Sequence, residues 1–153
     1  MTDRPFVPED FVVPTELVTA RFRLEPLGPQ HNAADHAAWT GSIEHISSTP
    51  GLPGWGWPPA EGMSLEANRA DLERHAADFV QRRGFTYTVL DIPDGTVIGC
   101  VYIYPSRTDD YDATVRSWVS AANADLDKPL YTAVSEWLAT EWPLGAVKYA
   151  PRA

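Results

Sequence analysis

The 153-residue sequence has only one cysteine, Cys100, so an internal disulfide is excluded. Basic residues are also few, because 12 Lys and Arg face 21 Asp and Glu and the formal net charge is −9. This charge repels nucleic acid and anionic lipid over most of the surface, so neither is an expected partner. Neither an apolar run of about 18 residues nor the apolar core of a secretory signal is found. We therefore expect a cytoplasmic protein with no membrane span.

Metal-binding and nucleophile motifs are missing as well. His31 and His36 are five residues apart, which places them on different helix faces, and no Cys-x-x-Cys pair occurs. The chain has no Gly-x-Ser-x-Gly elbow, and Cys100 lies within an apolar, strand-like run. Asp71 and His75 are four residues apart on one helix face and are interpreted as a solvated pair. We expect neither a metal ion nor a nucleophilic hydrolase.

What is present is typical of a globular domain. Hydrophobic residues make up 44% and charged residues 22%, and the length fits a single domain. Three prolines among bulky apolar residues, from Arg4 to Pro14, predict an extended arm because proline opposes helix formation. The predicted organisation is therefore a Pro-rich N-terminal arm at 1–16 and one domain at 17–153.

Hydrophobic periodicity and turn residues divide the domain into strands and helices. Strands are predicted at 17–27, 85–90, 96–104, 113–119 and 146–149. Helices are predicted from Pro29 to about residue 39 or 43, from a Ser64 cap to a Gly84 stop, and at about 128–142. Residues 47–62 are dense in Pro and Gly and predict a long loop. The Pro93-Asp94-Gly95 turn predicts that the second and third strands form an antiparallel hairpin.

This order of elements resembles that of the GNAT superfamily of acetyl-CoA-dependent N-acetyltransferases. Thr15–Leu27 resembles the family's first strand, and Phe85–Leu90 with Val97–Tyr102 resembles its central hairpin. The resemblance implies an α+β fold with a mixed, mainly antiparallel sheet flanked by helices. It also implies a shortened fold, truncated after the fifth strand, because the family's next helix and last two strands have no counterpart.

The resemblance further implies that acetyl-CoA binds along the 113–119 strand and the turn after it. In the family, a Gly-rich loop at this turn presents backbone N–H groups to the pyrophosphate at a helix N-terminus. The residues that correspond to this site are Trp118, Val119, Ser120, Asn123, Ala124 and Lys128. The family's Gly-x-Gly/Ala signature is missing, and Asp125 and Asp127 flank the start of the helix. Like charge would oppose the phosphates, so weakened acetyl-CoA binding is predicted.

A small-molecule substrate is expected on one face of the central strands. Arg116 and Trp118 share a face because side chains alternate along a strand, and Tyr102 and Tyr104 would join them across the pairing. Arg116 either holds a substrate carboxylate or phosphate, or forms a structural ion pair with Asp112 or Glu44. The loop tryptophans either line this cleft or cover the core. The expected substrate-binding residues are Trp55, Trp57, Tyr102, Tyr104 and Arg116.

The candidate catalytic residues are Glu44, beside His45, and Tyr102. Glu44 either acts as a general base or marks a solvent-exposed helix end. The resemblance implies a bacterial-type small-molecule N-acyltransferase, atypical or weakened, in which an amine attacks a CoA thioester. The alternative is a noncatalytic ligand-binding or homodimeric interaction module on the same fold. A homodimer is expected because the strand at 146–149 would leave an unpaired edge.

Overall fold

The computed structural model describes residues 5–92 and 94–152. Its strands are β1 (Leu17–Val18), β2 (Phe22–Pro26), β3 (Phe85–Asp91), β4 (Val97–Pro105), β5 (Ala113–Val119) and β6 (Val147–Tyr149). Its helices are α1 (Asn32–Thr40), α2 (Ile43–Ser47), α3 (Leu65–Val80) and α4 (Asp127–Glu141), with 3-10 helices at Pro29–His31 and Ala121–Leu126.

The six strands form one sheet in the order β1-β2-β3-β4-β5-β6. Every neighbouring pair is antiparallel except β5 and β6, which are parallel. The helix α4 makes the crossover between these two strands, since a parallel pair cannot be joined by a tight turn. The α+β class and the mainly antiparallel sheet flanked by helices are confirmed.

The first strand departs from the prediction. The 17–27 segment divides into β1 and β2, because the Thr19 hydroxyl accepts a hydrogen bond from the Phe22 N–H at 3.1 Å and closes a turn. Leu17 then pairs back with Leu24 across the turn. The sheet therefore has six strands, and the strand predicted to be the fifth is β6.

The start of α3 is as predicted, but its end is not. The Ser64 hydroxyl accepts a hydrogen bond from the Ala67 N–H at 3.0 Å and caps the helix. The helix ends at Val80, and Arg82 reverses the chain with a φ of 61°. Gly84 is not the helix stop. It is needed because a Cβ at this position would overlap the ring of Tyr104.

The sheet has a buried cluster on each face. One cluster packs against the inward face of α4 and includes Leu130, Val134, Trp137 and Leu138. The N-terminal arm joins this face, where Phe6 stacks on Phe85 with ring centroids 5.8 Å apart. The other cluster lies under α1, α3 and the loop after α2, and contains Trp39, Ile46, Leu52, Leu72, Cys100, Tyr102 and Trp118.

Side-chain donors from α3's end and from β3 bind backbone carbonyls of the described part of the arm, 5–16. The Tyr87 hydroxyl donates to the Pro14 carbonyl at 2.7 Å, and Arg82 donates to the carbonyls of Pro8 and Phe11. Residues 1–4 of the predicted arm and Pro93 of the predicted turn lie outside the described residues. No helix within the described ranges combines the length and the apolar character needed to cross a membrane.

Candidate functional site

A cleft of about 690 Å³ opens on the sheet face that α3 and the loop after α2 partly cover. The loop supplies one wall, α3 a second, and the β4–β5 connection with β6 a third. The side chains that line it include Trp55, Trp57, Asp71, Arg74, His75, Tyr102, Tyr104, Arg107, Arg116 and Lys148. All five expected substrate-binding residues therefore face one cavity.

Strand register brings the aromatic side chains together. Tyr102 pairs with Arg116 and Cys100 with Trp118, so the expected sharing of one sheet face is confirmed. The Trp118 indole is fully buried and donates from Nε1 to the Tyr102 hydroxyl at 3.0 Å. Trp57 lies above both rings, with its centroid 5.9 Å from that of Trp118. Trp57 thus covers the core and lines the cleft at the same time.

Arg116 makes no structural ion pair. Its Nε donates to the Gly51 carbonyl at 3.2 Å, and its guanidinium lies 4.6 Å from the Trp55 ring centroid. In the described part of the chain, no carboxylate lies within 4 Å of it. Asp112 instead accepts from the Gly145 N–H at 2.7 Å. The alternative pairing with Asp112 or Glu44 is wrong, because both carboxylates lie elsewhere.

His75 is the cleft residue that sequence reasoning missed. Its side chain is 8% exposed, so the expected solvated pair with Asp71 is wrong. Its Nδ1 lies 2.9 Å from the Tyr104 hydroxyl and 3.0 Å from that of Thr86, while its Nε2 lies 3.6 Å from Asp71 Oδ2. The spacing of four residues revealed only that Asp71 and His75 share a helix face. The burial depends on where α3 packs against β3 and α1.

Tyr104 completes this polar group. Its hydroxyl donates to Asp78 Oδ2 at 2.9 Å, so its oxygen is left to accept from His75. Burial raises the pKa of Tyr104, and burial also raises the pKa of Tyr102 well above its ordinary value. Both phenols therefore remain protonated at neutral pH.

The two candidate catalytic residues are separated. Tyr102 lies in the floor of the cleft, whereas Glu44 is exposed in a second, shallower depression of about 410 Å³ beside Ser42 and Ala121. No group of three His, Cys, Asp or Glu side chains at 5–92 and 94–152 could hold a metal ion.

The gap between β5 and β6 corresponds to the expected cofactor position. The two strands pair from Ala113 to Val115 of β5, and within residues 5–92 and 94–152 no other strand pairs with the rest of β5 on that side. Arg152 fills this gap with a side chain that is 3% exposed. Its guanidinium donates to the Ser117 carbonyl at 2.8 Å, the Ala150 carbonyl at 2.7 Å and Asp127 Oδ2 at 2.8 Å.

The residues of the turn after β5 also form hydrogen bonds and an ion pair within the chain. The Ala121 N–H donates to the Ser42 hydroxyl, and the Asn123 side chain donates to Ser120 at 2.7 Å. Asp125 pairs with Arg21 at 3.1 Å.

The remaining residues of the expected cofactor site do not form a pocket for phosphates. Val119 is buried, while Ala124 and Lys128 are exposed. Asp127 Oδ1 is buried and has no hydrogen-bond partner among the described residues, while the other oxygen of the same carboxylate is paired with Arg152. The residues present in the gap and the turn do not fit an acyl-CoA in this arrangement.

Comparison with known proteins identifies the fold. No family model and no curated protein matches the chain. Solved structures match the chain, and the three named here are each 12% identical to it. They include a ribosomal-protein-S5-alanine acetyltransferase from Vibrio fischeri, with a TM-score of 0.61 over 80% of this chain. They also include the microcin C7 self immunity acetyltransferase MccE in complex with acetyl-CoA and AMP, with a TM-score of 0.60 over 83%. A third is RimL, a ribosomal L7/L12 α-N-protein acetyltransferase in complex with coenzyme A, with a TM-score of 0.61 over 80%.

The chain spans 66% of the length of each of these three proteins. At this identity the likeness concerns the backbone arrangement, and it agrees with the sheet order and the α4 crossover described above. The chain has the fold of the GNAT acetyltransferases.

Proposed function

We propose that this chain is a GNAT-fold domain that binds a small molecule in the cleft, and that acyl transfer from CoA is weakened or lost. The observation that carries the proposal is the position of Arg152 in the gap between β5 and β6. RimL holds coenzyme A and MccE holds acetyl-CoA. In this chain, a CoA pantetheine entering the gap would have to displace a buried guanidinium.

Displacing Arg152 is costly for two reasons. Its three hydrogen-bonded partners, the carbonyls of Ser117 and Ala150 and the carboxylate of Asp127, would lose a charged donor. The Asp127 carboxylate would then lie unpaired where a pyrophosphate is expected. Asp125 adds a second negative charge at the same turn, partly offset by Arg21.

The cleft itself supports ligand binding independently of CoA. It is a concave site within the size range of small-molecule pockets, with aromatic side chains on one wall and a lining that is more polar than apolar. Trp55, Trp57 and Tyr102 supply the apolar surface, while His75 and Arg116 supply polar atoms. Such a mixture orients one ligand by hydrogen bonds and holds it by burial of apolar surface.

Isothermal titration with acetyl-CoA tests the proposal. We expect a dissociation constant above about 1 mM for the unmodified chain, which corresponds to about 4 kcal/mol. Arg152→Ala/Asp127→Asn should tighten binding if it remains folded, since it empties the gap without leaving an unpaired carboxylate beside the phosphates. Arg69→Ala is the matched control because Arg69 pairs only with Glu73 on the exposed side of α3. Micromolar binding by the unmodified chain would contradict the proposal.

A weak acyl-CoA-dependent N-acetyltransferase is the second candidate. The observation that favours it is that β5 and β6 are parallel and separate beyond Val115, so displacement of the Arg152 side chain would open space for a linear group. Thiol release from acetyl-CoA in the presence of an amine panel measures this activity. Tyr102→Phe should abolish it if the phenol is catalytic, while Glu44→Gln should do so if the base is Glu44. Release that neither variant lowers would remove both residues from the mechanism.

A further inference from the structure

The strongest unassigned feature is the charge of the cleft. The chain carries 12 basic residues against 21 acidic ones, yet four of the basic side chains line this one cavity. They are Arg74, Arg107, Arg116 and Lys148. Among the described residues, Asp71 alone brings a carboxylate to the lining of the same cavity. The cleft is therefore basic within an acidic protein.

Three of these cations lack a carboxylate partner. Across the described residues, six arginines form ion pairs, namely Arg21, Arg23, Arg69, Arg74, Arg83 and Arg152. Arg107, Arg116 and Lys148 do not, in the same part of the chain. Arg82 and Lys128 also make no ion pair within the described residues, so three of the five unpaired basic side chains lie at the cleft.

The three unpaired cations come to the cleft from three separate parts of the fold. Arg116 lies on β5, Arg107 on the β4–β5 connection and Lys148 on β6, where Lys148 is the register partner of Thr114. Burial lowers the pKa of Arg116, and repulsion from Arg107 lowers it further. Like charges held together in this way repel one another until an anion enters between them.

The Asp71 carboxylate does not neutralise the three unpaired cations. It is already bound to Arg74, its neighbour one turn along α3, and it lies 3.6 Å from His75 Nε2. Desolvation opposes ionisation of Asp71, but its contacts with His75 and Arg74 dominate and lower its pKa. The carboxylate therefore remains ionised and occupied, and the charge of the three unpaired cations is left for a ligand.

We infer that the cleft binds a phosphate monoester whose organic part packs against Trp57 and Tyr102. This inference rests on the proposed function, in which the cleft holds a small molecule. A phosphate monoester carries nearly two negative charges and three acceptor oxygens, which matches three converging cations better than a single carboxylate does. Packing over Trp55 restricts the orientation of the Arg116 guanidinium and directs its fork, which suits a planar, bidentate contact.

AMP, adenosine, inorganic phosphate and succinate are the probes that test the inference. Binding is followed by tryptophan fluorescence, since Trp55 and Trp57 line the site, and by titration calorimetry at low ionic strength. We expect AMP to bind at least tenfold more tightly than adenosine, and inorganic phosphate to compete with AMP. Raising the salt concentration should weaken AMP binding, because exposed cations are screened.

The double variant Arg107→Gln/Lys148→Gln locates the site. Both side chains are exposed, so the fold should survive, and thermal melting confirms this. We expect at least tenfold weaker AMP binding, whereas the control Arg69→Gln should change it less than twofold. Equal losses in both variants would overturn the inference, as would equal affinity for AMP and adenosine, or tighter binding of succinate than of AMP.

Acetyl-CoA titration of the same variants separates this inference from the proposed function. Micromolar acetyl-CoA binding that Arg107→Gln/Lys148→Gln leaves unchanged would contradict the proposed loss of the CoA site, while the AMP result would still decide the phosphate inference. If AMP fails to bind and acetyl-CoA also binds only above about 1 mM, the phosphate inference alone is overturned.

Discussion

Replacement of Arg152 by alanine is the most informative perturbation of this structure. The side chain is almost fully buried, and it donates four hydrogen bonds, two of them to Ser117. It also contacts the rings of Tyr131 and Tyr149, with centroids 5.9 and 5.6 Å from its Cζ. Its removal leaves the Asp127 carboxylate without a cation. One oxygen of that carboxylate, Oδ1, is buried and already lacks a hydrogen-bond partner among the described residues.

The expected loss follows from breaking one side of a buried ion pair. Such changes cost about 3–5 kcal/mol, because the remaining charge stays desolvated. At about 2–4 °C per kcal/mol for a chain of this size, the melting temperature should fall by about 6–20 °C. Arg152→Lys keeps the charge but loses the planar fork, so it should recover only part of the loss.

Urea denaturation of the single variants and of Arg152→Ala/Asp127→Asn provides the measurement. If the pair is coupled, the double variant should be more stable than the sum of the two single losses predicts, by at least about 1 kcal/mol. Additive losses, or a loss below about 1 kcal/mol for Arg152→Ala, would refute the argument that this guanidinium holds β5, the C-terminal segment and α4 together.

Three further predictions concern other sites. Burial raises the pKa of Asp35 from 3.8 to about 6. Because the native state then binds this proton more tightly than the unfolded state, the contribution of Asp35 to the free energy of unfolding falls as pH rises from about 4 to 6.5. Urea denaturation at a series of pH values should show the free energy of unfolding of the unmodified chain falling by about 3 kcal/mol over that range relative to Asp35→Asn. A free energy of unfolding that rises with pH relative to this variant would contradict the prediction. Gly84→Ala should lower the free energy of unfolding by about 1–3 kcal/mol and displace the Tyr104 ring, as checked by denaturation and near-ultraviolet circular dichroism; an unchanged spectrum would contradict the steric argument. We also propose a homodimer formed through the outer edge of β6, and sedimentation equilibrium showing only monomer at roughly 100 μM would exclude it.

Most of the secondary structure could be predicted because its causes are local. The hairpin of β3 and β4 and the strand β5 follow from alternating and β-branched residues, and the Ser64 cap follows from one hydroxyl and one backbone N–H. The division of 17–27 into two strands could not be predicted in this way, since it depends on a Thr19 contact competing with a continuous strand.

The candidate site was predicted in part. Strand alternation placed Tyr102 on the same face as Tyr104 and Arg116 on the same face as Trp118, whereas only the register between β4 and β5 shows that both pairs share one face of the sheet. The pairing state of Arg116 could not be deduced, since it depends on where every nearby carboxylate is held. Asp112 is bound to the Gly145 N–H, and Glu44 lies in another depression.

The sequence by itself determined most of the order of strands and helices, the acidic net charge and which side chains share a face within each strand. Only the tertiary structure decided that His75 is buried, that Arg152 fills the gap between β5 and β6, and that three cations converge without forming an ion pair in the described part of the chain. The reason is sequence separation: Arg152 meets Ser117 across 35 residues, and Arg116 meets Gly51 across 65. Periodicity reports how a residue faces within its own element, whereas these contacts require knowing which distant elements pack together.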